Sequence, residues 1–201
     1  MKGRVAMDIL LSLPGLFVAI IFHELAHGYT AYKLGDNTAK DAGRLTINPL
    51  KHIDPIGFIF MLVFKFGWAK PVPINPNNFK KRKRDTILVS IAGPLINFII
   101  AIIMGFVITL IPIKNSIVFQ IILTTLWYNI MLGTFNLLPF PPLDGSKIVA
   151  SLLPVKYEFY FYKYEKYFYI ILLILIATDL INKLLGPIIN FVLNILIRVI
   201  T

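Results

Sequence analysis

Cysteine is absent from the 201-residue chain. That excludes disulfides and any thiolate ligand, so a zinc site here has to be built from His, Asp or Glu. Acidic residues are scarce, 10 against 20 Lys and Arg, for a formal charge of +10. Charge of either sign is low, at 15%, while 57% of residues are hydrophobic and the mean hydropathy is +0.77. Such a composition excludes an ordinary soluble domain and points to a polytopic membrane protein embedded in the lipid bilayer. No low-complexity tract or linker divides residues 1–201, which leaves room for one membrane domain. The excess of base invites a nucleic-acid partner. Lys and Arg instead cluster between hydrophobic runs, as the positive-inside rule expects, so no nucleic acid is expected to bind.

What is present is Phe22-His23-Glu24-Leu25-Ala26-His27-Gly28, at the end of an apolar run from Ile9 to Phe22. Residues four apart share a helix face, so His23 and His27 can hold one metal ion between them. Glu24 then projects beside the metal, where it can take a proton from a water. Two imidazole ligands and a carboxylate base are the mechanical content of the His-Glu-x-x-His motif of zinc peptidases. Leu10 to Phe22 carries no charge, so the motif enters the membrane or its edge, where ionisable groups are costly and default to a functional role. A pair of packed core histidines is the plainer reading, but it explains neither the neighbouring glutamate nor the depth.

The first span is expected over about residues 7–34, kinked at Pro14 and stopped at Gly35. Met1 to Phe22 resembles a signal peptide, but cleavage there would sever the motif from its helix, so an uncleaved span is expected. Residues 36–85 are too polar to cross. Within them Gly57 to Trp68 is apolar, short and interrupted by Lys65, which suggests a re-entrant or interfacial segment. The alternate prolines of Trp68 to Pro76 forbid a helix and favour extended backbone, suited to a cleft wall. Lys80-Lys81-Arg82-Lys83-Arg84 marks the cytoplasmic side. Spans at about 86–111 and 117–138 lead out and back, and C-terminal membrane helices occupy about 167–200. Tyr157, Tyr160, Phe161, Tyr164 and Phe168 share one face of a helix lying at the membrane surface. The fold class expected is all-α and polytopic, with about four to six transmembrane helices and a small re-entrant or β-hairpin element after the first.

This topology brings two distant segments to one depth. The first span ends at the basic loop, and the span at 117–138 returns to that same side, at Asn136-Leu137-Leu138-Pro139-Phe140-Pro141-Pro142-Leu143-Asp144-Gly145. Asp144 is therefore a further ligand candidate, its alternative role being an N-cap on a short helix from Gly145 to Leu153.

His23-Glu24-Leu25-Ala26-His27, Gly67-Trp68-Ala69-Lys70-Pro71-Val72-Pro73 and the run from Asn136 to Gly145, in this order, resemble the site-2 protease family of intramembrane zinc metalloproteases, in a compact prokaryotic form without PDZ or CBS modules. The resemblance covers Ile9 to about Leu153. It implies one Zn2+ held by His23, His27 and Asp144, with Glu24 as general base. It also implies Asn136 near the substrate or the developing oxyanion, and His52 facing the site. The substrate class implied is a transmembrane protein cut near the cytoplasmic face of a prokaryotic cell membrane. A metal-binding scaffold that holds helices without cutting them would need the imidazoles but not Glu24. An ion transporter would be expected to show internal repeats with broken helices, and the sequence has none.

Overall fold

A computed structural model of the chain describes residues 2–57, 59, 69–178 and 180–200. The helices are α1 (Lys2–Lys33), α2 (Thr38–Asp41), α3 (Pro49–His52), α4 (Arg82–Leu110), α5 (Ser116–Asn136), α6 (Asp144–Leu152), α7 (Val155–Lys163), α8 (Glu165–Ala177) and α9 (Leu180–Ile200), with a 3-10 turn at Pro76–Asn78 before α4. Among the described residues three segments are long and apolar enough to cross a membrane: Ile9–Lys33, Arg82–Leu110 and Ser116–Asn136. The protein is accordingly an all-helical membrane protein.

Helix α4 explains why a bilayer suits this fold. Leu88, Leu95, Ile99, Ile103, Phe106 and Leu110 are exposed along it, whereas Asp85, Ser90, Gly93 and Asn97 are buried. That is amphipathicity turned inside out, and it places aliphatic side chains against acyl chains and polar ones among the helices. Helices α1, α4 and α5 pack on one another most extensively. Where α1 meets α5 the backbones touch: a Cβ on Gly15 would sit 2.6 Å from the Thr125 amide nitrogen, the close approach small residues permit. An apolar core joins Ala101, Leu126 and Ile130 of this bundle to Leu172, Leu185 and Ile189, tying α8 and α9 to α4 and α5.

Helix α1 stops at Gly35, whose φ of +105° is open to glycine and strained for other residues. Helix α7 is clipped to the start of α4 by Glu158, whose carboxylate lies 2.8 Å and 3.0 Å from the Arg82 guanidinium and 3.3 Å from the Lys83 amine. Part of the basic run thus serves an internal ion pair.

One expectation is revised. The aromatic face does not continue along one helix: the chain breaks at Tyr164 between α7 and α8, and Phe161 stacks on Phe168 across the break with ring centroids 5.4 Å apart. Among the described residues there is no strand, only an isolated antiparallel bridge between Ile53 and Ala69, and the residues that would form the expected β-hairpin between them lie largely outside the described ones. The re-entrant segment expected over Gly57 to Trp68 lies largely outside the described residues.

Candidate metal centre

The second half of α1 presents His23 and His27 one turn apart toward α4. His23 Nδ1 lies 2.6 Å from Asn97 Oδ1. The Asn97 amide nitrogen already donates to the Ala19 carbonyl at 3.0 Å and to Asn129 Oδ1 at 2.8 Å. Its oxygen must therefore accept, and the proton of His23 is on Nδ1. His27 Nδ1 lies 2.7 Å from the Val89 carbonyl, which can only accept, so this imidazole too is protonated at Nδ1. As neutral imidazoles, both then carry a lone pair on Nε2, the arrangement by which outer partners orient metal-ligating histidines.

Those two Nε2 atoms are 3.0 Å apart, and Asp144 Oδ2 lies 3.1 Å and 2.9 Å from them. All three side chains are buried. Three lone-pair donors this close repel one another unless a cation lies among them. Zinc bonds of 2.0–2.1 Å in a tetrahedron separate the ligand atoms by about 3.3 Å, near what is seen. The residues fit zinc, and His23, His27 and Asp144 are the one such cluster among the described residues.

Helix α6 delivers the carboxylate. Asp144 is its first residue, and its oxygens cap nothing: Oδ1 accepts from the Lys147 amine at 3.0 Å, and Oδ2 faces the imidazoles. Gly145 makes this placement possible, because a Cβ there would collide with the backbone carbonyls of Leu137 and Leu138. Gly93 does the same from α4, where a Cβ would strike both imidazoles, 2.7 Å from His23 Cε1.

Glu24 stands outside the metal cluster. Its Oε2 accepts the Val72 amide at 2.7 Å, and Oε1 accepts no hydrogen bond from the described residues. Val72 belongs to a non-helical segment, residues 70–75, held by side chains from separate parts of the chain. The Arg44 guanidinium donates to the carbonyls of Lys70 and Pro71 at 2.7 Å and 3.1 Å. Asp36 accepts the Asn75 amide at 2.7 Å and the Asn78 side chain at 2.7 Å. Burial works to raise the Asp36 pKa, but these bonds and those from Thr38 outweigh it and hold the carboxyl below its ordinary value. With the folded-state pKa depressed, the bracing is complete above the unfolded value of about 3.9 and is lost only as pH falls through the lower, folded one.

His52 and Asn136 are not brought to the cluster. His52 is buried on α3 with Nε2 donating to the Thr46 carbonyl at 2.7 Å, and Asn136 donates to the Leu132 carbonyl at 3.0 Å. Sequence reasoning overlooked roles for Asn97, Asn129 and Lys147. Asn97 did carry a signal, being an amide in mid-span four residues after Gly93, where polar groups are rarely idle. Asn97→Leu is expected to weaken zinc binding about 10–100-fold, measured by competition with a chromophoric chelator. Unaltered affinity would mean that Asn97 does not orient His23.

Comparison with known proteins follows the same line. A model described as peptidase family M50 matches residues 111–179, which include Asp144. The protein YwhC of Bacillus subtilis, provisionally named a zinc metalloprotease, is 44% identical over 183 residues, covering 87% of this chain and 84% of its own. Zinc metalloprotease MJ0392 of Methanocaldococcus jannaschii is 32% identical over 144 residues, 72% of this chain but 34% of the longer relative. MJ0611 of the same organism, also provisionally named a zinc metalloprotease, is 31% identical over 140 residues, 70% of this chain and 69% of its own. No solved structure matches the chain.

Proposed function

The chain belongs to peptidase family M50, the site-2 protease family, and from that premise we propose that it is an intramembrane zinc endopeptidase cutting transmembrane protein substrates near the cytoplasmic face. The observation that carries the reading is the convergence of two imidazole lone pairs and one carboxylate oxygen deep in an apolar bundle, with a second carboxylate beside them. His23, His27 and Asp144 are the residues that would hold the ion. When bound, zinc supplies a Lewis acid that polarises the scissile carbonyl and acidifies a water. Glu24 Oε1 accepts the proton of the attacking water and later returns it to the leaving amine. The Val72 amide, bonded to Oε2, keeps that carboxylate aimed, and Asn97 and the Val89 carbonyl keep both histidines in the tautomer the site needs. The basic run at the start of α4 supports a cytoplasmic orientation for this end of the bundle, and α8 and α9 are read as further membrane helices of the same domain.

A transmembrane helix hides its peptide bonds in its own hydrogen bonds. A substrate must unwind locally, and each N–H or C=O left bare in lipid costs several kcal/mol. The Ala69–Ile74 stretch beside Glu24 offers non-helical backbone with which the unwound chain can pair, the logic of strand addition.

The test is zinc-dependent cleavage of a transmembrane peptide by the full chain in detergent. Cutting abolished by chelator and restored by zinc supports the reading, and binding without cutting sinks it in favour of a scaffold. Replacing the substrate's helix-breaking residues by Leu or Ala is expected to slow cleavage at least tenfold, and cysteines at Val72 or its neighbours should crosslink to the scissile region. Equal cleavage of the stiffened helix without crosslinks would refute strand pairing.

A further inference from the structure

A cavity of about 180 Å3 opens directly onto the metal cluster and takes no part in the chemistry above. His27 and Asp144 close one end of it. Val72, Ile74, Pro76, Phe79 and Val89 give it apolar sides, and Thr86 and Ser90 on α4 with Lys147 on α6 complete the lining. The walls are thus mainly apolar, and of the three polar side chains set among them one stands out. The Thr86 hydroxyl oxygen is buried and has no hydrogen-bond partner among the described residues. A helical threonine commonly turns its hydroxyl back onto the carbonyl four residues earlier, and this one does not. An unmet buried hydroxyl is destabilising and calls for an explanation. Here the explanation is at hand, because the group stands in the wall of a cavity that ends at the reacting centre.

We propose that this cavity is the subsite for a substrate side chain flanking the scissile bond, and that Thr86 makes it selective for threonine over the isosteric valine. The proposal rests on the peptidase reading of the metal centre. Apolar walls accept the methyl group and Cβ of threonine, and its hydroxyl gives Thr86 Oγ1 the partner it lacks, as either donor or acceptor. Valine fills the same space and leaves Oγ1 bare. Acidic side chains are disfavoured, since the Lys147 amine is already engaged by Asp144 Oδ1 at 3.0 Å and a second carboxylate would face the first. Threonine suits the rest of the site as well. Its β-branching weakens a helix and favours the extended backbone that cleavage requires.

The experiment uses the full-length, zinc-loaded protein in detergent and a peptide library whose cut sites are read by mass spectrometry, with Glu24→Gln as the blank. Threonine is expected to be enriched at one position next to the cut. On paired peptides differing there only as Thr or Val, kcat/KM should favour Thr by at least about tenfold. Thr86→Val should bring that ratio close to one, and Thr86→Ser should keep it. As a second, independent variant, Val89→Phe fills the cavity from another wall and should move the preference toward serine and alanine. Absence of any Glu24-dependent cut would overturn the peptidase reading, and the subsite with it. Glu24-dependent cuts without threonine enrichment, or a threonine preference that both Thr86→Val and Val89→Phe leave in place, would overturn the subsite alone.

Discussion

Glu24→Gln is expected to keep near-stoichiometric zinc and to lose proteolysis by about 10²–10⁴-fold, the range that a positioned general base contributes. Zinc stays because Glu24 is not one of the three residues whose donor atoms converge. The fold stays because the glutamine amide oxygen can accept the Val72 N–H that Oε2 accepts in the parent, at 2.7 Å. What disappears is the basicity of the second oxygen, which a primary amide does not replace. Metal analysis on the purified variant, alongside turnover of a transmembrane peptide, checks both halves. A variant stripped of zinc, or one that cuts at the parental rate, would remove Glu24 from its role as the base.

Asp144→Ala is the second large effect. It deletes one of three lone-pair donors and leaves two imidazoles 3.0 Å apart with nothing to complete the set. Zinc affinity should fall by more than the roughly 100-fold typical of losing an outer-sphere partner, and activity should fall with it. His52→Ala is the instructive control, because His52 is the only other histidine in the chain. Its Nε2 is committed to the Thr46 carbonyl, so the substitution should lower the melting temperature while zinc stays in place. Zinc lost from the His52 variant and retained by the Asp144 variant would transfer the third ligand position to His52.

Much of this arrangement is local and therefore legible in the sequence. The four-residue spacing of His23 and His27 fixes them to one helix face before any tertiary structure forms. The apolar runs around 9–33, 82–110 and 116–136 announce their helices by length alone. Asp144 is separated from His23 by 121 residues. It is still reachable by argument, because two spans that end on the same side bring their ends to one depth. The outer hydrogen bonds are a different matter. Nothing local pairs Asn97 with Asn129, since an amide in an apolar run signals a partner without naming it. Asp36 and Arg44 resemble loop charges until the non-helical segment they grip is laid beside them. The break at Tyr164 is concealed by aromatic residues that keep helical spacing on both sides of it. His52 and Asn136 mislead for the opposite reason. They are polar residues in suggestive surroundings whose hydrogen bonds turn out to be backbone contacts of their own segments.

The bracing of residues 70–75 also bears on entropy. Arg44, Asp36 and Glu24 approach this segment from three separate parts of the chain and hold its backbone at Lys70, Pro71, Val72 and Asn75. Pro71 and Pro73 further restrict φ between those points. Ordering a free backbone costs about 1–2 kcal/mol per residue, and here that ordering is completed when the enzyme folds. Under the strand-pairing proposal, an incoming chain would have only its own freedom to give up. Loosening any of the three grips would therefore raise KM through disorder in the enzyme, even where the metal and its ligands are untouched.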